Sequence, residues 1–155
     1  MSTASAEPAP VPLRLDVTNT DQVAEAARQA QDVDLLINNA GRVAPGELTG
    51  EAIVDVARRE MEVNYFGPPR MLQRFADTLA QHGAAIVNVN SGAGLANAPI
   101  LPTYSASKAA LHSLTQASRA LLAARGVAVF GVYPGPVDTD LTRRLAPPAR
   151  PGLHC

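Results

Sequence analysis

Short apolar runs recur between longer helix-forming segments, and that alternation limits what this chain can fold into more than any single residue does. Residues 33–37, 84–89 and 127–132 are each five or six residues long and almost wholly apolar, rich in Val, Ile and Leu. A strand covered on both faces reads as a continuous apolar run, whereas a half-exposed one alternates. The alternating case is residues 13–17, where Leu13, Leu15 and Val17 are separated by Arg14 and Asp16. Between these runs lie segments with helical spacing. Residues 23–30 follow Thr18-Asn19-Thr20-Asp21, which offers capping side chains and an acid for the first turn. Residues 104–125 are rich in Ala and Leu and stop at Gly126. Residues 51–81 also read as helical, but Gly67-Pro68-Pro69 interrupts them, so a kink or break is expected between 64 and 69. Four strands alternating with about three helices predict a parallel sheet covered by helices.

Composition narrows the class. The chain has 155 residues, enough for one domain with a core, and 46% of them are hydrophobic. Charged residues make up 17%, below the usual value of about 25%, and the net charge is -1. Basic residues are scattered, so nucleic-acid binding is not expected. The one cysteine, Cys155, rules out an intrachain disulfide, and His82, His112 and His154 lack metal-ligand spacing. No apolar run approaches the roughly 18 residues of a membrane helix, and the first residues do not form a secretory signal. These features predict a soluble, cytoplasmic protein with no metal site. Residues 1–10 are Ser/Ala/Pro-rich and expected to be disordered, 11–146 should form the domain, and 147–155 a Pro-rich tail.

One stretch carries chemistry. In Tyr104-Ser105-Ala106-Ser107-Lys108, residues 104 and 108 share a helix face, which places an ammonium behind a phenol. Positive charge favours the phenolate, so the two are a candidate acid/base pair. Ser91, thirteen residues before Tyr104, closes the preceding strand. In an open parallel sheet, ligands bind at that end of the strands. Without the surrounding motifs, Ser91 reads equally as a loop cap, and Asn64 as a helix breaker. Asn38 and Asn39 read as residues serving backbone hydrogen bonds in the sheet.

Taken in order, these motifs resemble the short-chain dehydrogenases/reductases. Ser91 with Tyr104-x-x-x-Lys108 resembles that family's active-site set. Asp16-Val17 resembles its acidic pair after the third strand, and Asn38-Asn39-Ala40-Gly41 its segment after the fourth. Asn64 falls where its catalytic asparagine lies, and Pro134-Gly135 resembles its turn after the sixth strand.

The resemblance implies an NAD(P)-dependent oxidoreductase that transfers hydride between nicotinamide and a small carbonyl or alcohol. Tyr104 would exchange the proton, and Lys108 would tune it and hold the nicotinamide ribose. Ser91 would bind the substrate oxygen, and Asn64 would place a water. Asp16, Val17, Asn38, Ala40, Gly41, Pro134, Gly135 and Thr139 would contact the cofactor, NAD or NADP. Helices in 51–81 and 103–125 would serve a homo-oligomer.

The implied fold is α/β, a partial Rossmann-like doubly wound parallel sheet lacking the first two strands and the glycine-rich turn. No glycine precedes Asp16, and a Pro-rich tail replaces the family's substrate-covering segment, so the chain reads as truncated at both ends. Without the turn that grips pyrophosphate, cofactor binding by the isolated chain is expected to be weak or absent. The strand at 33–37 is expected to be an exposed edge. The alternative is a catalytically silent remnant that acts at most as a protein-interaction module.

Overall fold

The computed structural model describes residues 10–137. Expectations for residues 1–9 and 138–155, including the Pro-rich tail and Thr139, lie outside the described residues. Three strands, β1 (Leu35–Asn38), β2 (Ala85–Val89) and β3 (Ala128–Val132), form a parallel sheet in the order β1-β2-β3. The helices are α1 (Thr20–Gln29), α2 (Ile53–Asn64), α3 (Gly67–His82) and α4 (Pro102–Ala123). This is an α/β, partial Rossmann-like fold.

Local sequence explains the boundaries. Asn19 caps α1, its side-chain oxygen accepting from the backbone N–H of Asp21 at 3.0 Å and of Gln22 at 3.1 Å. The segment 51–81 is two helices. Pro68 and Pro69 sit in the first turn of α3, where a missing N–H leaves no helical hydrogen bond unmade. Gly126, at φ 72°, makes the left-handed turn from α4 into β3.

Leu36, Ile86 and Val129 stand side by side in register. With Val23 of α1 and Phe75 and Leu79 of α3 they form a core in which none of these six is more than 7% exposed. Each such side chain contributes about 1.5–3 kcal/mol relative to exposure. Their neighbours along the strands point the other way. Leu35, Ile37, Phe130 and Val132 are 48–54% exposed, so the described residues leave that face of the sheet open. β1 is an edge strand of the described sheet, as the resemblance implies.

One expected element does not form. Residues 13–17 belong to no strand, and Val17 falls in a turn, so the described sheet has three strands and not four. Alternation alone cannot make a strand without a neighbouring ladder to accept its backbone groups.

Candidate active site

Lys108 lies on the second turn of α4, reaching beneath the carboxyl end of β2. It is 4% exposed, its Nζ donates to the Val89 carbonyl at 2.9 Å and lies 5.9 Å from the centre of the Tyr104 ring. Burial pulls the ammonium down from 10.5 to about 8. The folded state therefore gives up this proton more readily than the unfolded chain. Between pH 8 and 10.5 the unfolded chain binds more protons, so stability should rise with pH in that window and be lowest below it. From pH 8 to 10 the gain attributable to Lys108 is roughly 2 kcal/mol. Urea unfolding of the wild type against Lys108→Met should show that slope only in the wild type.

The carboxamide of Asn64, at the end of α2, is 1% exposed. Its oxygen accepts from the Arg42 N–H at 2.8 Å, and its nitrogen donates to the Arg42 carbonyl and to Ser107 Oγ, each at 2.8 Å. Ser107 Oγ donates in turn to the Tyr104 carbonyl at 2.7 Å. One side chain thus ties the loop after β1 to the turn of α4 that carries Tyr104 and Lys108. The side chain is fully used, but the backbone carbonyl is not engaged by the helix: four residues on stands Pro68, which has no N–H to offer it. Sequence reasoning did not single out Ser107, although it lies three residues after Tyr104 and immediately before Lys108.

Ser91 begins the loop after β2. Its Oγ accepts from the Ala93 N–H at 3.2 Å as the cap of a short 3-10 turn, Gly92–Gly94. The cap uses only the oxygen's lone pair and not the hydroxyl proton. The turn presses on α4: a Cβ added at Gly94 would stand 2.7 Å from the Lys108 carbonyl carbon, so only glycine permits this approach. Gly92 N–H donates to the Pro134 carbonyl at 3.1 Å, which joins the turn after β3 to the Ser91 loop.

Of the residues named for the cofactor, Val17, Asn38 and Ala40 line one pocket of about 190 Å³ together with Leu15, Ile37 and Asn39. Asp16 is occupied by its own turn. Its Oδ1 accepts from the N–H and hydroxyl of Thr18 at 2.9 and 2.8 Å, and these bonds hold the carboxyl below its usual range. The Asn38 amide donates to Asn88 Oδ1 at 2.8 Å, and Asn88 donates to Thr115 Oγ1 at 3.0 Å. The Asn38 side chain thus serves a side-chain relay across the sheet into α4, and not the backbone hydrogen bonds that its sequence suggests. Glu60, 0% exposed, accepts from the Ala44 N–H at 2.9 Å and anchors the same loop one turn before Asn64.

The residues present fit one end of a nicotinamide dinucleotide. Lys108 has three N–H donors and, among the described residues, a single hydrogen-bond acceptor, which leaves donors for a ribose diol. A Cβ on Gly41 would come within 4.0 Å of Nζ, so the chain passes close to the ammonium. No described residue supplies a glycine-rich phosphate cradle, since no glycine precedes Gly41. Among the described residues no group of His, Cys, Asp or Glu could hold a metal ion, and no helix is long and apolar enough to cross a membrane.

A parallel sheet with Ser91 at a strand end and Tyr-x-x-x-Lys on the following helix defines an α/β protein of Rossmann-like type. Residues 3–149 match the short chain dehydrogenase family, and the chain belongs to that family. It is similar to the short-chain dehydrogenase virD of Hypocrea virens, 34% identical over 83% of this chain and 46% of that protein. An uncharacterized oxidoreductase of Staphylococcus aureus is 34% identical over 89% of this chain and 62% of its own length. Among solved structures, a short chain dehydrogenase from Burkholderia cenocepacia in complex with NADP superposes with TM-score 0.83. It is 44% identical over 89% of this chain and 60% of that one. A gluconate 5-dehydrogenase from the same organism, in complex with NADP and tartrate, gives 0.77 at 30% identity over 84% of this chain and 53% of that one. The chain spans 46–62% of the length of these relatives.

Proposed function

We propose that the chain carries the proton-transfer and substrate-orienting centre of an NAD(P)-dependent oxidoreductase acting on a carbonyl or alcohol, in a cytoplasmic setting. The observation that carries this reading is the buried Lys108 ammonium, short of acceptors and set beneath the Tyr104 ring. The cofactor, when bound, supplies or accepts the hydride. Tyr104 gives a proton to the substrate oxygen in reduction and takes one in oxidation. Ser91 Oγ–H donates to that same oxygen as negative charge develops on it. Lys108 holds the ribose hydroxyls and keeps positive charge near the phenol. The Asn64 carbonyl, without a helical donor, holds a water that leads from Lys108 toward solvent. Val17, Ala40, Gly41, Pro134, Gly135 and Thr139 contact the cofactor, and helices in 51–81 and 103–125 associate copies of the chain.

A second reading is a catalytically silent interaction module. Fluorescence titration with NADPH separates the two. The expected isotherm is shallow, with a Kd of about 1 mM or weaker. Lys108→Met should abolish it. A flat titration with the wild type would assign the isolated chain to the second reading.

A further inference from the structure

Two loops meet beside the N-terminal end of α4 and form an open cleft of about 690 Å³, within the size range of small-molecule sites. One wall is Pro45, Glu47, Leu48 and Thr49, and the other is Pro99 and Ile100. Both walls are pinned to the helices that build the candidate active site. The first loop is held by Asn64 at Arg42 and by Glu60 at Ala44. The second is held by Ser105 Oγ, which accepts from the Ala98 N–H at 3.1 Å. The two loops follow β1 and β2, so the cleft lies at the carboxyl end of the sheet, where parallel sheets bind ligands, and Ile100 precedes Tyr104 by four residues.

The chemistry of the lining is one-sided. Pro45, Leu48, Pro99 and Ile100 are apolar, and Leu48 and Ile100 are 70% and 78% exposed, large apolar side chains offered to solvent. No lining residue carries positive charge, and Glu47 contributes a carboxylate. A sugar acid would meet an apolar wall and a like charge, with no cation to offset its desolvation. A neutral carbonyl compound with an aliphatic or alicyclic body would cover the apolar side chains and leave its oxygen for Tyr104 and Ser91.

Resting on the function proposed above, we infer that this chain selects a neutral, apolar ketone or the matching secondary alcohol, and discriminates against carboxylate substrates such as gluconate. Selection is by the apolar cleft at Leu48 and Ile100.

Binding is measured without cofactor, by saturation-transfer NMR on the full chain with 2-decalone and gluconate as probes. Transfer to decalone and none to gluconate is the expected result. The double variant Leu48→Asp/Ile100→Asp should bind decalone at least about tenfold more weakly, because its apolar contact area is replaced by charge. Both positions are exposed, and should the double variant unfold, Ile100→Ser alone makes the same comparison. Absent decalone binding, gluconate binding of equal strength, or decalone binding unchanged in the variants would overturn the assignment. The readout involves no hydride, so a flat NADPH titration would sink the proposed oxidoreductase function while leaving this result to stand or fall by itself.

Discussion

Tyr104→Phe should lower turnover of a carbonyl substrate by about 10²- to 10⁴-fold, the usual worth of a positioned general acid. The variant should fold as the wild type does. No described residue hydrogen-bonds the Tyr104 hydroxyl, and a phenylalanine ring keeps the contact with Lys108. Steady-state rates beside a thermal melt make the test: a large rate loss with an unchanged melt is expected. Turnover within threefold of wild type would remove Tyr104 as the proton donor.

Asn64→Ala should be the most destabilising single change in the site. It deletes three hydrogen bonds, leaving the Arg42 N–H and carbonyl without this partner and Ser107 Oγ with only the Tyr104 carbonyl. With about 1 kcal/mol per hydrogen bond, a loss of about 3 kcal/mol is expected. Urea denaturation would show it as a lower midpoint with an unchanged slope. Asn64→Asp keeps the acceptor for Arg42 N–H but offers no donor to Ser107 or the Arg42 carbonyl, so it should rescue little. A loss under 1 kcal/mol in the alanine variant would mean that the loop after β1 is held by other contacts.

The two substitutions separate chemistry from support. Tyr104 sits at the surface of the site and its hydroxyl supports nothing in the fold, so its removal is felt only in the reaction. Asn64 is where α2, α4 and the loop after β1 converge. Its loss should move Tyr104 and Lys108 together, through Ser107.

Much of this was legible in the residues. The break between α2 and α3 follows from two prolines that lack N–H groups, and the end of α4 from a glycine that accepts positive φ. The pairing of Tyr104 with Lys108 follows from helical spacing. These are local rules, and they hold because covalent structure or one turn of helix enforces them.

Residues 13–17 show where such rules stop. Their alternation is genuine, but a strand exists only with a neighbour to complete its ladder, and among the described residues there is none. Nor could spacing tell that the Asn64 side chain is consumed by Arg42 and Ser107, or that Gly94 must be small because it rests on Lys108. Those contacts join residues far apart in the chain, and their partners are chosen by how helices and loops pack.

By itself, then, the sequence determined the order of strands and helices, the break at Pro68 and the placing of a phenol and an ammonium on one helix face, because each is set within a few residues. Only the tertiary structure decided that the ammonium is buried and pulled down to about 8, that Asn64 staples the site, and that a cleft with Leu48 and Ile100 in its walls forms between the loops after β1 and β2. Burial, desolvation and cavity shape are properties of what surrounds a residue, and those surroundings come together only when distant segments pack.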